Sequence, residues 1–260
     1  MRRVIFNEKG GVGKSSITCN LAAISAKQGK RTLVIDLDPQ CNSSCYLLGE
    51  YNFDPSQTIA GYFNQVLNVF PRGETNCIHE TTIENLHVIP SSPELLEIQH
   101  KLESRYKIYK LRELLDSLQD DYDHFYIDTA PASNFYTRSA LISAQNCLIP
   151  FDCDAFSRQA LYNVMAVINE IREDHNDGLN VEGIIPNQYQ PRAKLPNQII
   201  DELLAEDLPV TNTRLSHSVK MRESHQQNKP LIFMAPSHNL TQQFIELHRE
   251  LSGEKITEPA

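Results

Sequence analysis

Residues 9–16 read Lys-Gly-Gly-Val-Gly-Lys-Ser-Ser, and this one segment constrains the fold more than any other. It follows a short apolar run, Arg3 to Phe6, and precedes a stretch in which Ile17, Leu21 and Ile24 recur at helical spacing. A strand that feeds a glycine-rich turn and then a helix brings backbone N–H groups and a helix N-terminus to one point. Glycine lets the main chain approach a bound group closely, and the helix dipole favours negative charge there, so the junction is an anion site. Gly29 provides the helix stop. The next run, Thr32-Leu33-Val34-Ile35, is unbroken apolar sequence ending in Asp36, as expected for a buried parallel strand. Strand, turn, helix and strand together make a βαβ unit.

The rest of the chain repeats the alternation. Leu86–Ile89, Phe125–Ile127, Cys147–Pro150, Val181–Ile185 and Leu231–Phe233 read as further strands. Helical patterns lie between them, notably over Pro93–Leu118 and Arg158–Asp174. The expected fold is α/β: a mostly parallel twisted sheet with helices on both faces, in a single domain over residues 1–251, with 252–260 as a frayed tail. At 260 residues, 40% apolar and 22% charged, the chain has enough material for one large core. No run of 18 apolar residues predicts a transmembrane helix, and the apolar run after Arg2-Arg3 stops at Asn7, too early for a signal peptide. The six cysteines are expected as thiols; Cys41 and Cys45, spaced C-x3-C with no partner pair, do not form a zinc knuckle. A net charge of −9 weighs against a chain coated in nucleic acid but does not bear on a local patch.

In the phosphate reading, Gly10, Gly11, Val12 and Gly13 supply backbone, Lys14 sits on the β- and γ-phosphates, Ser15 reaches Mg²⁺ and Ser16 a further phosphate oxygen. The usual pattern G-x4-G-K-[ST] demands Gly at position 8, where Glu8 stands, and a second lysine, Lys9, precedes Gly10. A dinucleotide fingerprint is the rival, with Asp36 about twenty residues on, but Lys14-Ser15-Ser16 fills the place of its third glycine. The string KGG-x-GK-[ST] resembles the deviant Walker A motif of the ParA/MinD family of P-loop ATPases. The resemblance implies ATP and Mg²⁺ as ligands. It also implies a role for Lys9: reaching across a two-fold interface to the ATP of a second copy. A purely local phosphate contact for Lys9 stays open.

Two more acid-tipped strands fit the same resemblance. Asp36-Leu37-Asp38-Pro39-Gln40 is similar to the family's D-x-D-P-Q segment, which makes Asp38 the group that positions the attacking water, with Asp36 nearer the metal shell. Phe125 to Pro131 resembles the Walker B strand and its switch, with Asp128 holding Mg²⁺, usually through water; relatives more often carry Pro-Pro where Ala130-Pro131 stands. Asn187, after Ile184-Ile185-Pro186, matches the place where relatives contact adenine. For each of these the plain alternative is a turn or cap residue.

Within that family several branches are disfavoured. The last apolar stripe, Leu240, Phe244, Ile245 and Leu251, has Arg249 as its only Lys or Arg beside Glu246 and Glu250, unlike a basic membrane-surface helix; it is expected to face the core. No Tyr follows Tyr189, and Asp128–Asn134 contains no cysteine, which argues against the tyrosine kinases and the nitrogenase iron protein of related fold. The small ParA partitioning ATPases fit better. Their resemblance places phosphate contacts to DNA on Arg192 and Lys220, with Arg222 and Arg214 secondary; a solvated charged loop is the alternative. A P-loop beginning at residue 9 leaves no room for an N-terminal helix-turn-helix. The implied partners are a second copy of the chain, non-specific DNA and a ParB-like stimulator or cargo adaptor, with no membrane. The implied location is cytoplasmic and nucleoid-associated. Two other readings remain: a positioning ATPase acting on a membrane or polar protein scaffold, and an ATP-dependent ligase of the same fold, against which Lys9 and the D-x-D-P-Q segment speak.

Overall fold

The computed structural model describes residues 1–49, 53–68, 76–153 and 157–253. The strands are β1 (Arg2–Ile5), β2 (Thr32–Asp36), β3 (His79–Glu80), β4 (Leu86–Ile89), β5 (His124–Asp128), β6 (Asn146–Asp152) and β7 (Asn180–Asn187). They form one sheet in the order β3-β4-β2-β5-β1-β6-β7, parallel throughout except for the short edge strand β3. All five residues of β2 are buried, as an unbroken apolar run requires of a strand covered on both faces. The helices are α1 (Lys14–Lys27), α2 (Asn42–Leu48), α3 (Ile59–Leu67), α4 (Leu95–Ser104), α5 (Lys110–Ser117) and α6 (Phe135–Ser143), followed by α7 (Ser157–Asp174), α8 (Lys194–Ala205), α9 (Val219–Gln226), α10 (Leu231–Met234) and α11 (Asn239–Leu251).

Two apolar clusters sandwich the sheet. One is built by α3 to α8 around residues such as Phe63, Leu102, Leu115, Leu141 and Ile168. The other gathers α1, α2, α10 and α11 around Ile17, Leu21, Leu231, Phe244 and Leu247. The last helix therefore faces the core: of its expected stripe Leu240 and Phe244 are buried and Ile245 and Leu251 are partly buried against the cluster, and Leu247 joins the buried face. No helix among the described residues is long and apolar enough to cross a membrane.

Two sequence expectations change. Leu231–Phe233 is not a strand but the start of α10; Pro230 cannot donate an amide and presets its own φ at −54°, and the Leu231 amide is taken by Asn20 Oδ1 at 2.9 Å. Three apolar residues are too few to carry a period, so that run was ambiguous between helix and strand. The pattern over 93–118 divides into α4 and α5 at Tyr106, which sits at φ +55°, with Lys107 N bonding back to Leu102 O at 3.0 Å. Of the expected tail, residues 254–260 lie outside the described residues, whereas Ser252 still bonds back to His248 O at 3.0 Å. All six cysteines are buried thiols.

Beneath α1 and α11 lies a buried polar network that no local pattern announces. Arg3, 1% exposed, forks onto both carboxylate oxygens of Glu182 (2.7 and 2.8 Å) and also donates to Tyr126 Oη and Leu251 O. Ser25 Oγ meets Tyr126 Oη at 2.9 Å, His248 Nε2 at 2.8 Å and His124 Nδ1 at 3.1 Å. Burial, and then the neighbouring Arg3 charge, pushes both imidazoles down to about 4. His248 thus binds a proton in the unfolded chain below pH 6.5 that the folded chain refuses until about pH 4. Its stabilising contribution is complete above 6.5 and is lost as pH falls through that window, at about 1.4 kcal/mol per pH unit and about 3 kcal/mol in all. His248→Gln should flatten the acid limb of stability by that amount in urea titrations at pH 7, 5.5 and 4.5. Parallel loss in both proteins would show that another group controls it.

Candidate functional site

The carboxyl ends of the parallel strands converge where β1 turns into α1, the crevice in which α/β sheets bind ligands. Asn7 fixes the start of the loop: its Nδ2 donates to Pro150 O at 2.7 Å and its Oδ1 accepts from Lys9 N at 2.9 Å. Gly11 and Gly13 lie at φ +77° and +89°, a region that L side chains rarely adopt. At Gly13 a Cβ would also come within 2.4 Å of Asn187 Nδ2. Asn187, the last residue of β7, uses that space to donate to Val12 O at 2.8 Å, and Gln188 Nε2 donates to Gly11 O at 2.8 Å. These two side chains brace the loop from the β7 side. Around Gly10 and Gly11 a Cβ would meet nothing within 4 Å, so the loop faces open space there.

That space is a cavity of about 460 Å³, within the range of small-molecule sites, lined by Gly10, Gly11 and Gly13 to Ser16 and walled by Asp38, Gln40, Tyr46, Pro131, His225 and Asn228. Lys14 is buried with its Nζ 3.1 Å from Lys9 O. Burial lowers its pKa while Asp128 and Asp38 act to hold the proton on. Asp36 and Asp128 are cross-strand partners at the ends of β2 and β5, both fully buried. Burial pushes both carboxyls above the ordinary range, and each faces a further carboxylate: Asp128 raises Asp36, and Asp38 raises Asp128. Ser15, Ser43 and Lys14 act in the opposite sense on Asp128.

The three acids are held differently. Asp36 has both oxygens engaged, Oδ1 by Asp38 N at 3.0 Å and Oδ2 by Ser44 N and Oγ at 2.8 and 2.7 Å, so it organises the 36–44 loop. Asp128 Oδ2 accepts from Ser43 Oγ at 2.7 Å, but its Oδ1 is buried with no hydrogen-bond partner among the described residues. An orphaned carboxylate oxygen beside Ser15 suits a cation or a metal-bound water, so the residues fit Mg²⁺. No group of three or more His, Cys, Asp or Glu among the described residues is placed to hold a metal ion. Asp38, 6% exposed, stands on the cavity wall with Oδ1 fixed by Gln40 N at 3.0 Å.

Lys9 Nζ lies 3.5 Å from Asp152 Oδ2, with both side chains about one-third exposed. The four basic residues singled out by the sequence differ in their surroundings. Arg214 is turned inward, donating to Tyr189 Oη at 2.6 Å and Asn197 Oδ1 at 2.9 Å, with its guanidinium over the Tyr189 ring. Lys220 pairs with Glu223 at 2.6 Å, Arg192 is exposed, and Arg222 lines a smaller cavity of about 150 Å³ shared with Gly13, Ser16 and Asn187. Sequence reasoning missed Asp152, although an acid closing an apolar run is the same signal that marks Asp36 and Asp128. It also missed Ser43, Ser44 and His225, for which no local pattern exists.

A parallel sheet whose first strand feeds such a loop, flanked by two acid-tipped strands, defines a P-loop protein that binds nucleoside triphosphates. Residues 3–181 match the AAA domain family. The chain is similar to the chromosome partitioning protein ParA of Myxococcus xanthus, with 30% identity over 249 residues covering 95% of this chain and 86% of the relative. Its fold matches the ATP complex of an aspartate-to-alanine variant of Cyanothece McdA (TM-score 0.85, 21% identity, 99% of this chain and 98% of that one). It also matches cobyrinic acid a,c-diamide synthase from Mycobacterium smegmatis with a bound ATP analog and magnesium (TM-score 0.81, 19% identity, 99% and 96%). The chain belongs to the ParA/MinD family of P-loop ATPases.

Proposed function

We propose that this chain is a partitioning or positioning ATPase of the ParA type: Mg–ATP brings two copies face to face, the pair holds DNA without sequence preference, and a ParB-like partner stimulates hydrolysis and release. Such a cycle would be run in the cytoplasm, on the nucleoid. The observation that carries the reading is the division of labour between two lysines. Lys14 lines the phosphate cavity, whereas the Lys9 ammonium is turned to Asp152. In a pair of copies, Lys9 would exchange the Asp152 carboxylate for a second copy's triphosphate. Similarity to a ParA chromosome partitioning protein over nearly the whole chain supports the same reading.

Within a bound complex, Gly10 to Gly13 and Ser16 line the triphosphate, Lys14 neutralises its β- and γ-oxygens, and Asn187 keeps the loop shaped around it. Ser15 and Asp128 hold Mg²⁺, with Asp36 behind them; the ion supplies charge neutralisation at the phosphates. Asp38 orients water toward the γ-phosphoryl. Fold alone does not separate this reading from a ligase, since cobyrinic acid a,c-diamide synthase shares the architecture. DNA retention does separate them. With Mg–ATP the wild-type chain should bind DNA in a salt-sensitive manner. Arg192→Ala with Lys220→Ala removes two phosphate contacts per copy. In the pair, the slope of log affinity against log salt should then fall by about 3 to 4. Undiminished retention in that variant would move the DNA surface elsewhere, and no retention by the wild type would end the DNA reading.

A further inference from the structure

Helix α9 carries two of the basic residues, Lys220 and Arg222, yet it is thinly anchored. Of its eight residues only Ser224 is buried, and Met221 is only partly packed against the apolar cluster. Besides its packing on α10, its polar contacts reach toward the nucleotide cavity. Ser224 Oγ bonds Tyr46 Oη and donates to Lys229 O. The His225 ring stands edge-on to Tyr46 with centroids 4.7 Å apart, and its Nε2 lies 3.0 Å from Ser16 Oγ at the head of α1. Asn20 ties the same corner from below, donating to Ser16 O at 2.8 Å. His225, Tyr46 and Ser16 all line the cavity.

We infer that His225 is a positioning residue that passes the state of the phosphate site to α9 through Ser16. This rests on the reading above in which Ser16 contacts a phosphate oxygen. With the imidazole protonated on Nδ1, His225 Nε2 accepts the one proton that the Ser16 hydroxyl has to donate. Given to phosphate, that proton is no longer available to His225 Nε2, and the ring lets go of Ser16. With so little apolar surface holding it, α9 then changes its packing against α1 and α2, and Lys220 and Arg222 move with it. A segment with few buried contacts and a polar clasp is the kind of element that a small local event can shift.

Hydrogen–deuterium exchange over residues 219–228 tests this without any use of DNA. Each protein is compared without nucleotide and with Mg–ATP at a concentration shown by calorimetry to saturate that variant. In the wild type, nucleotide should change exchange of these amides by at least about threefold. In His225→Ala the nucleotide-free protein should already exchange like the nucleotide-bound wild type, with no further response. His225→Gln, whose side-chain amide reaches a similar position, should restore the response, and Ser16→Ala without nucleotide should exchange like His225→Ala. A wild-type response preserved in His225→Ala, or none in the wild type, would overturn the inference. If the exchange results appear as expected while DNA retention is absent, the coupling stands and the DNA reading alone fails.

Discussion

Replacing Lys14 with alanine is expected to lower the affinity for Mg–ATP by at least about 100-fold, or about 3 kcal/mol. Charge-assisted contacts to phosphate are among the stronger hydrogen bonds, about 1.5–3 kcal/mol each. More is lost here than one contact, because Lys14 also stands between the incoming charge and two carboxylates. Asp128 and Asp38 both act on its proton, so without the amine a triphosphate meets their charge uncompensated. The fold should not suffer. Lys14 opens α1, alanine is a good helix former, and the packing of that helix rests on Ile17, Leu21 and their neighbours. Two measurements check the expectation. Calorimetric titration should give no measurable heat at concentrations that saturate the wild type, and the thermal stabilisation by Mg–ATP should vanish while the ligand-free melting temperature is retained. Affinity within about threefold of wild type would remove Lys14 from the phosphate site.

What the sequence made legible follows from how local each signal is. The βαβ unit around the loop, the strands β4 to β7 and the two acids Asp36 and Asp128 are written as apolar runs, the acids at their ends, whereas β3, His79-Glu80, carries no such run. Those features survive folding because the strand, the turn and the helix are neighbours in the chain. The props of the site are not neighbours. Asn187 reaches Val12 across 175 positions, His225 reaches Ser16 across 209, and Arg3 finds Glu182 across 179, so nothing in a short window marks them. Asn187 is instructive because resemblance singles it out for adenine, and the structure adds a further contact, its Nδ2 bracing Val12 O of the phosphate loop. The basic residues near the C-terminus show the opposite limit. A count of charges between 211 and 229 does not tell that Arg214 is held by Tyr189 and Asn197, or that Lys220 pairs with Glu223. Composition reports how much charge a segment carries and not which way it points.

Asp38→Ala is expected to leave Mg–ATP bound and pairing of the two copies intact while lowering turnover about 100- to 10,000-fold, the range associated with a positioned general base. Its place argues for this role over Asp36. The carboxylate of Asp36 is taken up by Asp38 N and Ser44, whereas Asp38 stands on the cavity wall opposite the phosphate loop. There is a structural complication, because Asp38 Oδ1 also accepts from Gln40 N and the Asp38 carbonyl from Cys41 N, so alanine loosens the turn that leads into α2. Asp38→Asn separates the two effects. An asparagine keeps an oxygen for the Gln40 amide and preserves the turn, but it is neutral and cannot take a proton from water. If turnover falls as far in Asp38→Asn as in Asp38→Ala, with ATP affinity near wild type in both, the loss is chemical. If Asp38→Asn hydrolyses ATP at the wild-type rate, the carboxylate has no part in the reaction and the water must be oriented by another group on the same wall.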